Sequence, residues 1–532
     1  MAVATSYPGL YIQELASNAH AILPTPTSVA AFVGYSHPFK TKAFGVAQQI
    51  FSFSDYETYF GGLFSSGMID ASLARAVYQF FLNGGSSAWI VGLQPGLFDI
   101  AGSTSARFGL ASGEMQFTAE VTTDPGKGML FTALEPTDTM PMAVQIANVN
   151  STKNTFDVIV TYGSSVEAYR NLTLASAALD TINSASSLVS VAPIGPATDY
   201  GATLPAIGVT KFPTAAPAGA PANYSDSYLG SDILTAFDSN GSLDNVEIFN
   251  LLIVPGNTDN EVISAALAFA ERKRAFAIVD PPPQAPATGS STDSPQPIQY
   301  WMTGLNSGGY MLPLSQNGAL YFPYLGSTDP VTSTNIAMPP SGFVAGAYAT
   351  TDANRGVWKA PAGLANVLLN TTGPVPSGAM NDPQQGVLNL DSINCLRSFS
   401  SIGTVVWGAR TLVAANVAYQ QNMYVPVRRM TLFIEQTLLA NLRWVVFEPN
   451  DEPLWVAIRS SIESFLLSLF NQGALQGSTP SQAFKVTCDS TTTTPDDQAL
   501  GIVNIVVAFA PLKPAEFVII KIAQLAGQTA GS

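Results

Sequence analysis

At 532 residues the chain is too long for a single hydrophobic core, which implies two to four domains. Hydrophobic residues make up 47% and charged residues only 11%, about half the usual charged share, so much of the surface is expected to be covered by copies of the same chain. A net charge of −15 argues against nucleic-acid binding through a basic patch.

The acidic surplus is uneven. Residues 391–532 hold nine Lys/Arg and ten Asp/Glu, leaving 13 basic and 27 acidic residues in 1–390. A near-neutral C-terminal part suits burial in an assembly, and an acidic remainder suits an outer surface. Two isolated cysteines, Cys395 and Cys488, exclude a disulfide framework or a CxxC metal site and fit a reducing compartment. The start, MAVATSYPG, lacks the basic and apolar regions of a signal peptide, and the apolar run Ile502–Leu512 is too short to span a bilayer, so no membrane insertion is expected.

Residues 1–25 read as an arm carrying one strand. Tyr7-Pro8-Gly9 turns into Leu10, Tyr11, Ile12 and Leu15, and Pro24 and Pro26 then favour an extended linker. A lone strand must be completed by a sheet, its own or a neighbour's. Val29–Gly34 reads as a buried strand, Ile69–Leu82 as a helix with Leu73, Ala76, Val77 and Phe80 on one face, and Ala88–Leu93 as the next strand. Residues 96–240 change to short alternating runs and are expected to form a β-rich, outward-facing insertion. A second strand–helix–strand unit follows: Ile248–Val254, a helix opened by the capping box Thr258-x-x-Glu261, and Ala275–Val279 before three prolines. The fold class is therefore α/β, with a mostly parallel sheet core in 26–95 and 241–390.

Residues 391–510 are expected to form an α+β domain. Val427–Trp444 and Pro453–Phe470 read as helices, followed by strands near Phe484–Cys488 and Ile502–Phe509. Ile502, Val503, Ile505, Val507 and Phe509 would make an acceptor strand. Residues 511–532 read as a second arm, with Phe517, Val518, Ile519, Ile520 and Ile522 in its strand and Lys521 as the one charge in the apolar run.

Catalytic patterns are missing. The chain has two histidines, His20 and His37, both placed in or near the arm on this reading. It contains no G-x-S-x-G, P-loop, G-x-G-x-x-G, H-E-x-x-H or EF-hand loop. Catalytic residues, cofactor and metal are accordingly expected to be none. Arg459 and Glu463 stand four apart on a helix, where they can pair or touch a partner.

An ordered series of motifs resembles the contractile sheath subunits of phage-type tails. It comprises Arg355-Gly356-Val357-Trp358-Lys359-Ala360-Pro361-Ala362, Ile393-Asn394-x-Leu396-Arg397, Trp407-Gly408-Ala409-Arg410-Thr411, Val427-Arg428-Arg429, Phe447-Glu448-Pro449-Asn450, Leu454-Trp455, and Pro514-Ala515-Glu516-Phe517. Tyr7-Pro8-Gly9-x-Tyr11-Ile12 resembles the family's opening. Phe343, Thr350 and Gly363 depart from it. The resemblance implies a non-enzymatic subunit that stacks in six-membered rings around an inner tail tube, exchanging terminal strands between copies. Baseplate and tail terminator proteins would be further partners, and Arg459 and Glu463 candidate tube contacts. It also implies assembly in the bacterial cytoplasm, then residence in a virion tail or released injection particle. A static shell protein and an α/β hydrolase-like enzyme are the alternatives.

Overall fold

The computed structural model describes residues 20–67, 69–94, 98–99, 107–108, 117–194, 198–214, 230–290, 296–304, 311–375 and 380–521. The chain divides into two compact units. The larger holds residues 27–355 and 360–428. The smaller draws on 1–26, 356–359 and 429–532.

The larger unit is organised by a mixed eight-stranded sheet. Its strands are β1 (Ala30–Tyr35), β2 (Ala47–Ile50), β3 (Ala88–Leu93), β4 (Leu251–Ile253), β5 (Phe276–Val279), β6 (Gly318–Phe322), β7 (Ile393–Phe399) and β8 (Gly403–Val406). They lie in the order β2-β3-β1-β4-β5-β6-β7-β8. The six central strands pair in parallel, and an antiparallel strand closes each edge. Every residue of β1 is buried, as expected of a strand covered on both faces. Ala31, Val33 and Tyr35 join a core with Val262 and Leu267 of helix α2 (Asn260–Lys273). On the other face Phe32 packs edge-on against Phe80 of helix α1 (Ser72–Leu82), ring centroids 5.4 Å apart. Helix α3 (Ser341–Arg355) crosses α1 on glycines: a Cβ at Gly342 would come within 2.4 Å of the Ala76 carbonyl oxygen. Phe343 is wholly buried in that helix, and Thr350 donates to the Asn83 carbonyl at 2.8 Å.

Two expectations change here. The N-cap of α2 is Asp259, which accepts from Glu261 N, and not Thr258 of the proposed capping box. The final domain does not begin at 391, because β7 pairs with β6 and extends the core sheet. The division falls instead between Arg428 and Arg429.

Between β3 and β4 lies the β-rich insertion. Ser165–Leu172, Thr155–Tyr162, Met142–Asn150 and Gly208–Lys211 form an antiparallel sheet in that order, and Val189–Pro193, Lys127–Ala133 and Thr118–Asp124 form another. Alternate residues, among them Phe131, Val144, Phe156, Val158 and Val160, meet in one core, as the two-residue period of each strand requires.

His37, near the arm, takes a structural role. It is fully buried just beyond β1. Its Nδ1 accepts from Phe39 N (3.2 Å), which leaves the Nε2 hydrogen to face Glu135 Oε2 at 3.0 Å. Burial lowers the His37 pKa. Burial alone would raise Glu135, but the hydrogen bond from His37 and the Lys40 charge hold it below its usual value. Lys40 takes the second carboxylate oxygen. Three residues after Glu135, Asp138 accepts from Ser66 Oγ and Gly67 N, so this stretch fastens the insertion to the core loop. Glu135→Ala is expected to cost about 3 kcal/mol in denaturant unfolding, because it strands a buried imidazole donor and the Lys40 charge. A loss below about 1 kcal/mol would show that the clamp is dispensable.

Candidate inter-subunit interface

The smaller unit is built on helix α4 (Val425–Asn441), from Arg429 onward, and helix α5 (Glu452–Asn471). Asp451 caps α5 by accepting from Leu454 N, and Pro453 sits in the first turn, where its missing N–H costs nothing. Leu454, Trp455, Ile458, Ile462, Phe465, Leu466 and Leu469 recur at helical spacing and face one core with Met430, Phe433 and Ile434. The 20-residue helix is apolar enough for a membrane span by composition, but this stripe serves the unit's own core. Val357 and Trp358 join the same core. Gly356, at φ 90°, lets the Trp358 ring approach to within 2.4 Å of where a Cβ would stand.

The C-terminal hairpin pairs β9 (Phe484–Thr487) antiparallel with β10 (Val506–Phe509), from Phe484 opposite Phe509 to Thr487 opposite Val506. Ala510 N donates to Ala483 O at 2.8 Å. The alternation of an antiparallel ladder then turns the backbone groups of 506, 508 and 510 towards β9 and those of Val507 and Phe509 outwards. These two strands form a sheet of their own, so that edge of β10 has no strand beside it among the described residues. The side chains of Ile505, Val507 and Phe509 lean on the α5 core. The strand here is thus shorter than the sequence suggested. Val507 and Phe509 lie in β10, whereas Ile502, Val503 and Ile505 precede it, because a turn of helix (Pro495–Ala499) and the bend after it set the chain's direction.

Beyond Pro511 the chain continues to Lys521 without helix or strand. Phe517, Val518, Ile519 and Ile520 are 72–82% exposed. Tyr7, Leu10, Tyr11, Ile12, Leu15 and Ile522 lie outside the described residues. The linker before β1 is placed, however. His20 stacks on Trp444 at 3.8 Å, Leu23 exchanges two hydrogen bonds with the Asn441 side chain, and Thr25 Oγ1 meets Thr437 Oγ1 at 2.9 Å. Residues 20–26 therefore belong to the same unit as residues 429–521.

Arg459 and Glu463 do not pair. Arg459 instead donates to the Cys488 carbonyl at 2.9 Å, bracing α5 against the end of β9. Glu463 stands on the exposed face of α5 with Val456, Ser460 and Leu467. Sequence reasoning missed the exposure of Phe447, which only the shape of its loop determines.

Comparison with known proteins identifies the family. The phage tail sheath protein central domain matches residues 230–412, and the phage tail sheath C-terminal domain matches residues 420–524, together a little over half of the chain. The chain belongs to the phage tail sheath family. It is 26% identical over 268 residues to a Pseudomonas aeruginosa protein named as a prophage major tail sheath protein, covering 50% of this chain and 62% of that one. The tail sheath protein of Burkholderia phage BcepMu is 28% identical over 160 residues, 30% of this chain and 33% of its own. The chain thus spans under two thirds of the length of either relative. Sheath-like folds are also found in solved structures. The sheath complex of an extracellular contractile injection system, in the contracted state, has a TM-score of 0.56 at 22% identity, covering 98% of this chain and 99% of that one. The contracted helical sheath of the anti-feeding prophage has 0.54 at 22%, covering 98% and 100%.

The sheath fold also contains a cavity of about 740 Å³ outside the carboxyl ends of β1 and β4, where strand order reverses and α/β folds commonly bind ligands. Its charged groups have structural partners. Asp70 accepts from Ser72 N and Oγ, Asp259 caps α2, and Arg75 pairs with Asp329 at 3.1 Å. Among the described residues no cluster of His, Cys, Asp or Glu could hold a metal ion.

Proposed function

We propose that the chain is the structural subunit of a contractile sheath, which polymerises around an inner tube and shortens to drive the tube through a target envelope. The observation that carries this reading is the pair of complementary features on the smaller unit: an open strand edge at β10 and an exposed apolar segment, Phe517–Ile520. An edge without a strand beside it offers a row of hydrogen-bonding groups, and an extended apolar segment can occupy it by strand addition. One molecule's segment would fill the edge of the next, and the N-terminal strand Tyr7–Leu15 would complete another. Because main-chain bonding holds the joints, the bodies can re-pack from an extended to a contracted lattice while the strands stay paired.

On this reading the subunits form six-membered rings, and the insertion faces outwards. The smaller unit faces the tube, with Glu463 on its exposed helix face and Arg459 as the brace behind it. Baseplate and terminator proteins cap the ends of the polymer. Assembly takes place in the bacterial cytoplasm, and the product is a virion tail or released particle. Catalysis has no part in this mechanism.

Electron microscopy of the purified full-length chain at high concentration tests the reading. Tubes or stacked rings are expected, with two helical lattices when the inner tube is co-expressed. A persistent monomer would refute polymerisation, and a single lattice under all conditions would favour a static shell.

A further inference from the structure

Phe447 combines two features that are each unfavourable in an isolated subunit. Its backbone is left-handed, at φ 73°, although it is not glycine. Its aromatic side chain is completely exposed, at 102%. Backbone strain of this kind persists only where the surroundings impose it, and here they do. On one side Val446 N donates to Arg443 O and Glu448 N to Val445 O. On the other, Asn450 accepts from Trp455 Nε1 (2.9 Å) through its side chain and from Gln498 Nε2 (2.9 Å) through its carbonyl, and it donates to Ile502 O (3.0 Å). The loop is thus a fixed mount that holds the ring in water.

The same bonds bring this loop beside the segment that leads into β10. Val446, Leu500 and Ile502 are 63%, 75% and 43% exposed, so the loop and the segment it is tied to both present apolar side chains to solvent just ahead of β10, and with Phe447 they make up an apolar patch. Exposed carboxylates, Glu448, Asp451 and Glu452, rim it. An exposed apolar patch with a polar rim marks an interaction surface.

We propose that Phe447 is a docking knob for the extended segment Phe517–Ile520 of a second copy of the chain. Two properties of that segment select it. In extended form it is apolar on both faces, with Phe517 and Ile519 on one and Val518 and Ile520 on the other, the pattern of a strand covered from both sides. Adding it to β10 covers the face towards α5, and the Phe447 patch supplies apolar surface for the other. The exposed Lys521 directly after it also complements the acidic rim. In their own subunit the four side chains remain in solvent.

This proposal rests on the self-assembly reading, so the test separates the two. Full-length F447N is expected to melt at or above the wild-type temperature, since asparagine tolerates the left-handed conformation and no packing is lost. Its polymer yield, measured by sedimentation, should fall at least tenfold. A second variant pairs F447C with I519C. The native Cys395 and Cys488 are buried and stay silent. On mild oxidation of assembled material the pair should give a ladder of disulfide-linked multimers, and either single substitution should not. Normal polymer yield from F447N, or tubes that form without a ladder, would overturn the knob alone. No polymer from the wild-type chain would overturn the assembly reading and the knob with it. A link from F447C to a co-assembled tube protein would assign the patch to the tube and overturn the second-copy assignment.

Discussion

Val507→Pro is expected to reduce polymerisation by at least an order of magnitude while leaving the subunit folded. The outward-facing N–H of Val507 is unused within the hairpin, so proline removes a donor only an added strand would need. Unfolding stability should fall by no more than about 2 kcal/mol, because the N–H faces away from the ladder and only the partly buried packing of the Val507 side chain on α5 is disturbed. Ala508→Pro is the control. Residue 508 bonds to β9, so that variant should weaken the hairpin itself. Circular dichroism and denaturant unfolding would measure the first effect, and sedimentation of polymer the second. If V507P assembles as well as the wild type, the exchanged strand does not use this edge.

The second large effect concerns Asp280, which is 1% exposed at the end of β5. Its carboxylate accepts from Gly256 N (2.8 Å), Ser341 N (2.8 Å) and Ser341 Oγ (2.6 Å), tying the β4–α2 loop to the start of α3. Burial outweighs these bonds and pushes its pKa up to about 6 from 3.8. The folded state therefore holds this proton more tightly than the unfolded chain. The resulting stabilisation is complete below about pH 4 and is lost as pH rises through 6, a difference of about 3 kcal/mol. Asp280→Asn cannot ionise and mismatches the three donors. It should be clearly less stable than the wild type at pH 4, and that deficit should shrink by about 3 kcal/mol by pH 7. Thermal unfolding of both proteins across this range would decide. Parallel pH profiles would show that Asp280 does not titrate in the window.

The strongly periodic elements were legible in the sequence. Ala88–Leu93, the two late helices and both strand–helix–strand units are recovered with small shifts, because their burial pattern is local and repetitive. The β character of the insertion was legible too, from its two-residue alternation. What the sequence hid depends on distant partners. Nothing near His37 indicates that Glu135, 98 residues away, will meet its ring. The strands Ile393–Phe399 and Gly403–Val406 were assigned to the wrong domain because strand pairing, not composition, decides membership of a sheet. In the smaller unit the strands at Phe484 and before Phe509 were visible, but their pairing was not, the strand expected from Phe517 is absent from the described residues, and Val507 could be separated from Val506 as an edge donor only from the register. Phe447 stood within a quoted motif, and its exposure follows from φ, which sequence does not report.

The pinning of Leu23 by Asn441, 418 residues later, has a consequence for synthesis. While the ribosome makes the larger unit, the anchor for the first residues does not yet exist. The hairpin edge and the terminal segment emerge later still. A nascent chain can therefore complete its main sheet before the hairpin edge and Phe517–Ile520 are in place. On the proposed reading, the strand edge and the segment that would fill it emerge only after the larger unit has been made, which would keep that joint from forming early on crowded polysomes.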